Sequence, residues 1–360
     1  MSSILYYITG HGYGHAVRSN QVISALRYAH PHMRIYVRTT APEWLFGDRA
    51  DVVSYTPQAL DVGILQRDSL AMDLKKTLKA CERFYSAAPA IIEREQSFIR
   101  DNEIKLIVGD IPPLCFEIAT EAEIPSLAIS NFTWDEIYRT YSTAYSGFAG
   151  IAEQVTEYYR QATLALILPY PCDMGMFPRR EAIPWVARAS RLTKKQARAH
   201  FALPAATKIV LLSFGGLGLE RLPWDKFTSL RNFYFVATGN RQIEKGNLRI
   251  LTERQDRYED LVRAVDVIVT KPGYGIVADA LAHRVPMLYT DRGEFPEYPR
   301  LVQALQDCAT AEYIPQTKLL SGNLAPYLDA LLSKPHNWLE VGLDGATAAA
   351  EKIIEFAHRA

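Results

Sequence analysis

Short apolar runs of strand length alternate with longer stretches of helical spacing along almost the whole chain, and that alternation leaves few folds open. Parallel strands cannot be joined by tight turns, so strands separated by helices build parallel sheets with helices on both faces. The runs at 4–8, 34–38, 51–55, 105–109, 126–130 and 164–168 predict the strands of one sheet. Those at 208–213, 233–237, 248–251, 265–270 and 286–290 predict a second. Within residues 69–100, Leu70, Leu74, Leu78, Phe84, Ile91, Ile92 and Ile99 keep approximate helical spacing, so one long helix kinked at Pro89 is expected there.

Residues 169–192 break the rhythm. Pro169, Pro171, Pro178 and Pro184 fall there together with Arg179, Arg180, Arg188 and Arg191, which reads as an irregular connection. The expected architecture is α/β: two doubly wound, Rossmann-like domains, 1–168 and 193–342, joined by 169–192 and facing each other across a cleft. The last segment, 343–360, carries Ala and Ile at helical spacing and is expected as a helix packing back on the first domain. A chain of 360 residues has room for two such cores.

Charge and cysteine use narrow the function. Forty Lys plus Arg balance 40 Asp plus Glu, so the chain lacks the basic surface that a nucleic-acid binder needs. No apolar run approaches the roughly 18 residues of a membrane span. The first residues run straight into the apolar strand without a basic region or a cleavage site, so a cytoplasmic protein is expected. Cys81, Cys115, Cys172 and Cys308 lie far apart, which suits neither a disulfide framework nor a zinc site.

In doubly wound folds ligands bind outside the carboxyl ends of the strands, so the loops there carry the functional reading. The first is Thr9-Gly10-His11-Gly12-Tyr13-Gly14-His15-Ala16-Val17-Arg18, followed by a helix expected over 19–28. Its glycines permit tight turning and close approach to a ligand, and the helix offers free N–H groups to an anion. His15 stands where the dinucleotide fingerprint has its third glycine, and no Gly-Lys-Ser/Thr follows, so neither that motif nor a P-loop is present. His15 and His11 are candidates for acid–base work, since imidazole titrates near neutrality. Asp110 ends the strand expected at 105–109; it can orient a histidine or simply cap the next helix.

The second half repeats the pattern. Gly215 and Gly216 follow the strand at 208–213, and Lys271-Pro272-Gly273-Tyr274-Gly275 follows the strand at 265–270 and opens a helix. A glycine loop at a helix start, beside a lysine, can cradle a diphosphate. Asp279, one turn into that helix, is placed for a ribose hydroxyl, and Glu294 and Glu297 for a sugar.

Together these segments resemble the GT-B glycosyltransferases, and in particular the glycosyltransferase-like N-terminal region of plant L-arabinokinases and its stand-alone bacterial relatives. The resemblance runs from about residue 4 to about 335. It rests on residues 6–18, on Gly109-Asp110-Ile111-Pro112, on Ser130-Asn131-Phe132-Thr133-Trp134-Asp135 and on Lys271-Pro272-Gly273-Tyr274-Gly275. It implies a nucleotide-sugar donor, UDP-linked, held by the second domain, and transfer to an acceptor hydroxyl with inversion. His15 then matches the loop histidine that serves as base, Asp110 the aspartate that orients it, and 271–275 the donor diphosphate loop. Asp279 stands where the wider fold has the longer Glu. Gly12, Tyr13, Gly14, Arg18, Asn131 and Trp134 are expected on the acceptor side, with Phe132 and Tyr138 read as core.

The kinase half of arabinokinase and its phosphate loop are absent, so sugar phosphorylation is not expected. No Asp-x-Asp pair occurs, which agrees with a reaction needing neither metal nor cofactor. Epimerisation or hydrolysis of a nucleotide sugar, or sugar-nucleotide binding without turnover, are the alternative readings.

Overall fold

The computed structural model describes residues 3–46, 53–68, 71–214, 222–252, 254–255, 257–293 and 295–359. Gly215, Gly216 and Glu294, three of the expected donor residues, lie outside them.

The chain begins with β1 (Ser3–Ile8), α1 (Tyr13–Ala29), β2 (Arg34–Thr39), a short 3-10 helix (Glu43–Phe46) and β3 (Val53–Pro57). A small hairpin, β4 (Gln66–Asp68) with β5 (Ala71–Met72), precedes α2 (Leu74–Ser86) and α3 (Ala88–Asp101). Then come β6 (Ile104–Asp110), α4 (Leu114–Glu121), β7 (Ser126–Ser130), α5 (Trp134–Tyr141), α6 (Gly147–Arg160), β8 (Leu164–Ile167) and β9 (Arg180–Ala182). These form a seven-stranded sheet in the order β3-β2-β1-β6-β7-β8-β9, with every pairing parallel.

The second half opens with α7 (Lys194–His200), β10 (Lys208–Ser213), α8 (Trp224–Ser229), β11 (Phe233–Gly239), β12 (Ile243–Lys245) and β13 (Leu248–Thr252). It continues through α9 (Tyr258–Ala264), β14 (Val267–Thr270), α10 (Tyr274–His283), β15 (Met287–Tyr289), α11 (Glu297–Cys308) and β16 (Ala311–Tyr313). Its sheet runs β12-β13-β11-β10-β14-β15-β16, parallel except where β12 pairs antiparallel at the edge. Helices α12 (Gln316–Leu320), α13 (Ala325–Ser333) and α14 (Gly345–Arg359) close the chain.

In both sheets the first strand sits where the order reverses, between β2 and β6 and between β11 and β14. Crossovers leave this point in opposite directions, so their loops part and open a crevice. Register places Ile8 beside Asp110 and Ser213 beside Thr270, so in each half two functional loops start from neighbouring strand ends.

Three expectations change. Helix α1 begins at Tyr13 rather than at residue 19, because Gly12 at φ 76° makes the turn and the chain coils at once. His15 and Arg18 therefore stand on the first helical turns, on the buried face. The long helix is two: Asp73 caps α2 by accepting from the Lys76 amide at 3.1 Å, and α3 starts afresh with Pro89 in its first turn, where a missing N–H costs nothing. Finally, the connection 169–192 is not wholly irregular, since Arg180–Ala182 adds the seventh strand to the first sheet.

Helix α14 returns to the first half and packs on α1 through Ala349, Ala350, Ile353 and Ala357. Its start is pinned by the Trp185 amide donating to Gly342 O at 3.0 Å and the Gly345 amide to Trp185 O at 3.1 Å. A Cβ on Gly345 would lie 2.1 Å from Pro184 O. Gly345→Ala should therefore cost about 1–3 kcal/mol, the usual range for forced overpacking. Chemical denaturation followed by circular dichroism checks this; an unmoved midpoint would show that the 184–186 backbone yields freely.

Candidate functional site

At the centre of the first half one buried carboxylate organises everything around it. Asp110 is fully buried at the end of β6 and accepts from three side chains of α1. His15 Nδ1 lies 2.8 Å from Oδ1, Arg18 Nε donates to Oδ2 at 2.7 Å, and Ser19 Oγ donates to Oδ2 at 2.8 Å, with Arg18 Nη2 also on Oδ1. These residues meet because α1 starts immediately after β1, beside β6. Burial alone would raise the Asp110 pKa, but Arg18 and His15 outweigh it and hold the carboxyl at about 2.

The ionised partner defines the histidine. An anion accepts only, so the contact with Asp110 favours the proton on Nδ1 and the lone pair on Nε2, although Arg18 Nη2 also lies 3.0 Å from Nδ1. Burial first, then Arg18, push the His15 pKa below its ordinary value against the pull of Asp110, which leaves the ring neutral. His11 also lines the cleft and is held neutral, at about 3, first by burial and then by the neighbouring His15, Arg292 and Lys271, which disfavour a further charge. Its ring meets Trp134 edge-on at 5.3 Å.

Across the cleft, Lys271 follows the end of β14, and Gly273 leads into α10 without a side-chain cap. A Cβ at Gly273 or Gly275 would meet nothing within 4 Å, so a ligand can approach this backbone closely. The cleft between the halves has a volume of about 1240 Å³. That exceeds the roughly 300–1000 Å³ of a single small-molecule pocket and leaves space for two molecules. Gly12, Tyr13, Gly14, His15 and Arg18 line one wall; Lys271, Gly273, Tyr274, Gly275 and Glu297 line the other.

Several expected residues take other positions. Asp279 is buried away from the cleft and is engaged by Arg188 through its backbone N–H at 3.1 Å and its guanidinium. Arg188, lying over the Tyr258 ring at 5.2 Å, lines the cleft instead, so a ribose contact from Asp279 is corrected: its oxygens are already filled. Trp134 is wholly buried behind His11, stacked on Tyr138 and donating Nε1 to Asp61 at 2.8 Å, while Phe132, read as core, reaches the cleft wall. Asn131 is likewise fully buried and bonds Arg18 and Glu297 rather than facing an acceptor. Glu297 lines the cleft, but its two oxygens accept from Asn131 and from Arg292.

The residues missed are those that only folding brings in. Asp61 and the apolar Val62, Ile64 and Phe84 wall the cleft beside the first loop; Ser213, Thr238, Asn240, Gln255 and Tyr258 wall the far end. None stands in a motif. For Asp61 the one available signal was an acidic residue inside an apolar stretch, Leu60 to Ile64.

With this geometry in place, the comparisons are specific. Residues 2–156 match the family model described as glycosyl transferase family 1. The chain is 30% identical over 361 aligned residues to L-arabinokinase of Arabidopsis thaliana, covering 98% of this chain and 34% of the relative, so it spans about a third of that protein's length. UGT2 of Phytolacca americana, solved with UDP-2fluoro-glucose and pterostilbene, superposes with a TM-score of 0.62 at 12% identity, covering 99% of this chain and 94% of that one. UGT71G1 of Medicago truncatula, solved with UDP-glucose, gives 0.61 at 10% identity, with 99% and 98% covered. Among the described residues no helix is long and apolar enough to cross a membrane.

Asp61 supplies a test of the site's electrostatics. Burial lifts its pKa from 3.8 to about 6, against hydrogen bonds from Thr9 and Trp134. The folded state thus binds this proton more tightly than the unfolded chain, a contribution complete below pH about 4 and lost as pH rises through about 6. Asp61→Asn keeps an acceptor for Trp134 and removes the titration. The stability of the variant relative to wild type should rise between pH 4 and pH 7, by up to about 3 kcal/mol. Urea unfolding at both pH values measures it; a constant difference would show an ordinary carboxyl.

Proposed function

We propose, from the GT-B fold with its glycosyl transferase family 1 match and its L-arabinokinase likeness, that this protein transfers a sugar from a nucleotide donor to an acceptor hydroxyl. The observation that carries the reading is the neutral His15, held by Asp110, facing the open N-terminus of α10 across a cleft with room for two substrates.

In this reading the donor diphosphate lies at Lys271 and the amides of Gly273–Ile276, whose dipoles and charge stabilise the leaving group. No metal is then needed to neutralise it. The two solved neighbours named above hold UDP-sugars, which favours a UDP-linked donor here. The acceptor enters beside Tyr13, Val62, Ile64 and Phe84, and Nε2 of His15 removes its proton as the hydroxyl attacks the anomeric carbon from the face opposite the diphosphate, with inversion. His15 rather than His11 is the base, because an oriented tautomer requires a fixed partner on the other nitrogen, and Asp110 provides it. Arg18 already neutralises much of Asp110, so the imidazolium formed is stabilised less than beside a bare carboxylate.

A panel of nucleotide sugars in thermal-shift and turnover assays tests the reading. His15→Ala should lower turnover by about 10²–10⁴-fold with nucleotide affinity nearly unchanged. Lys271→Ala should weaken binding of the nucleoside diphosphate by about 1.5–3 kcal/mol. Turnover should survive EDTA. Release of free or epimerised sugar from donor alone would mark hydrolysis or epimerisation instead, and binding of donor with no turnover would mark a sensor.

A further inference from the structure

The buried cluster at Asp110 does not end inside the first half. Arg18 Nη1 donates to Asn131 Oδ1 at 2.9 Å, and Asn131 Nδ2 donates onward to Glu297 Oε1 at 2.8 Å. Glu297 opens α11 in the second half, and its other oxygen accepts from Arg292 Nη1 at 2.6 Å. The same Arg292 nitrogen donates to Pro272 O at 3.1 Å, inside the loop that precedes α10. A second contact runs alongside: the Arg18 guanidinium lies 5.5 Å from the ring centroid of Tyr274, which stacks on Trp185 at 4.7 Å.

Every member of the central link is buried: Asn131 is 0% exposed, Glu297 3% and Arg18 4%. A buried carboxylate bonded on both oxygens is costly to undo, since opening the halves would strand an amide and a charge. Resting on the glycosyltransferase reading, we propose that Glu297 is a positioning residue: by bonding Asn131 across the cleft it holds Arg18 on Asp110, and so ties the setting of His15 to closure against the donor loop. The charged and titratable groups facing this region are His11 of the first loop, His15 and Arg18 of α1, Asp61, Asp110 of β6, Lys271 before α10 and Tyr274 on it, and Arg292 before α11 and Glu297 on it. Among them Glu297 is the carboxylate contributed by the second half, and its negative charge acts on both Arg18 and His15.

The test is amide hydrogen exchange on the full chain, which needs no substrate and so stands apart from the proposed activity. Glu297→Ala removes the acceptor. Exchange in residues 10–18 and 130–134 of the first half should accelerate by about five-fold or more, the lower range of intersite coupling. Glu297→Gln keeps an oxygen for Asn131 and should hold residues 10–18 near wild-type protection. Should Glu297→Ala fail to fold, Asn131→Ala cuts the same bond from the other side and is read at the same peptides. Acceleration confined to 288–300, or equal acceleration in the Ala and Gln variants, overturns the proposal. With a working donor–acceptor pair, Glu297→Ala should lower kcat by about ten-fold while the donor KM stays within about two-fold, the pattern of lost orientation and not of lost binding. An unchanged kcat would overturn the positioning role.

Discussion

A carboxylate with no solvent access has to find its partners within the fold, and Asp110 finds them all on one helix. Its two oxygens take four hydrogen bonds from His15, Arg18 and Ser19. That requirement fixes α1 against the end of β6, and with it the turn at Gly12 and the course of the first loop. It also bears on the chemistry, because an ionised acceptor at Nδ1 favours the lone pair on Nε2 on which the proposed base role of His15 rests. The same constraint makes the site rigid: losing one donor would leave a buried charge short of partners, a cost of several kcal/mol.

Arg18 changes what this cluster can do. An isolated histidine–aspartate pair would raise the basicity of the ring, whereas a guanidinium on the same carboxylate restrains it. Arg18 also reaches Asn131 and Tyr274, so the charge that tunes His15 is shared with the boundary between the halves. On the far wall a comparable pair, Arg188 with Asp279, removes an acid from the cleft and presents a cation beside Tyr258. On each wall one carboxylate, Asp110 or Asp279, is thus taken up by an arginine, while Asp61 accepts from Trp134. Arg188, Lys271 and Arg292 remain among the groups that line the cleft, a setting suited to an anionic ligand.

Much of the architecture was legible because strand and helix periodicities are local. The runs at 126–130 and 208–213 coincide with β7 and β10. The misreadings share a physical origin. Glycines at 12 and 14 suggested a loop running on to residue 18, yet Gly12 makes the turn, a helix whose face is buried tolerates Gly14, and α1 starts early. Pro89 suggested a kink inside one helix, yet proline is equally at home in a first turn. Arg180–Ala182 is three residues with no apolar alternation, and only the free edge of β8 makes it a strand.

For the site, local pattern was enough to show which residue types stand at the strand ends: His15 after β1, Asp110 ending β6, and Lys271 to Gly275 running from the end of β14 into α10. Loop position follows from local pattern, and glycine, histidine and lysine have few roles there. Tertiary structure alone decided direction and partnership. Whether Asp279, Asn131, Glu297 or Trp134 meets a ligand or another side chain depends on which face of its element is turned to the cleft. That is set by residues distant in the chain: Arg188 lies 91 positions from Asp279, and Asn131 lies 166 from Glu297. Burial of polar groups forces such pairings, and no periodicity encodes them, because hydrogen-bond satisfaction is a property of the packed interior and not of the local chain.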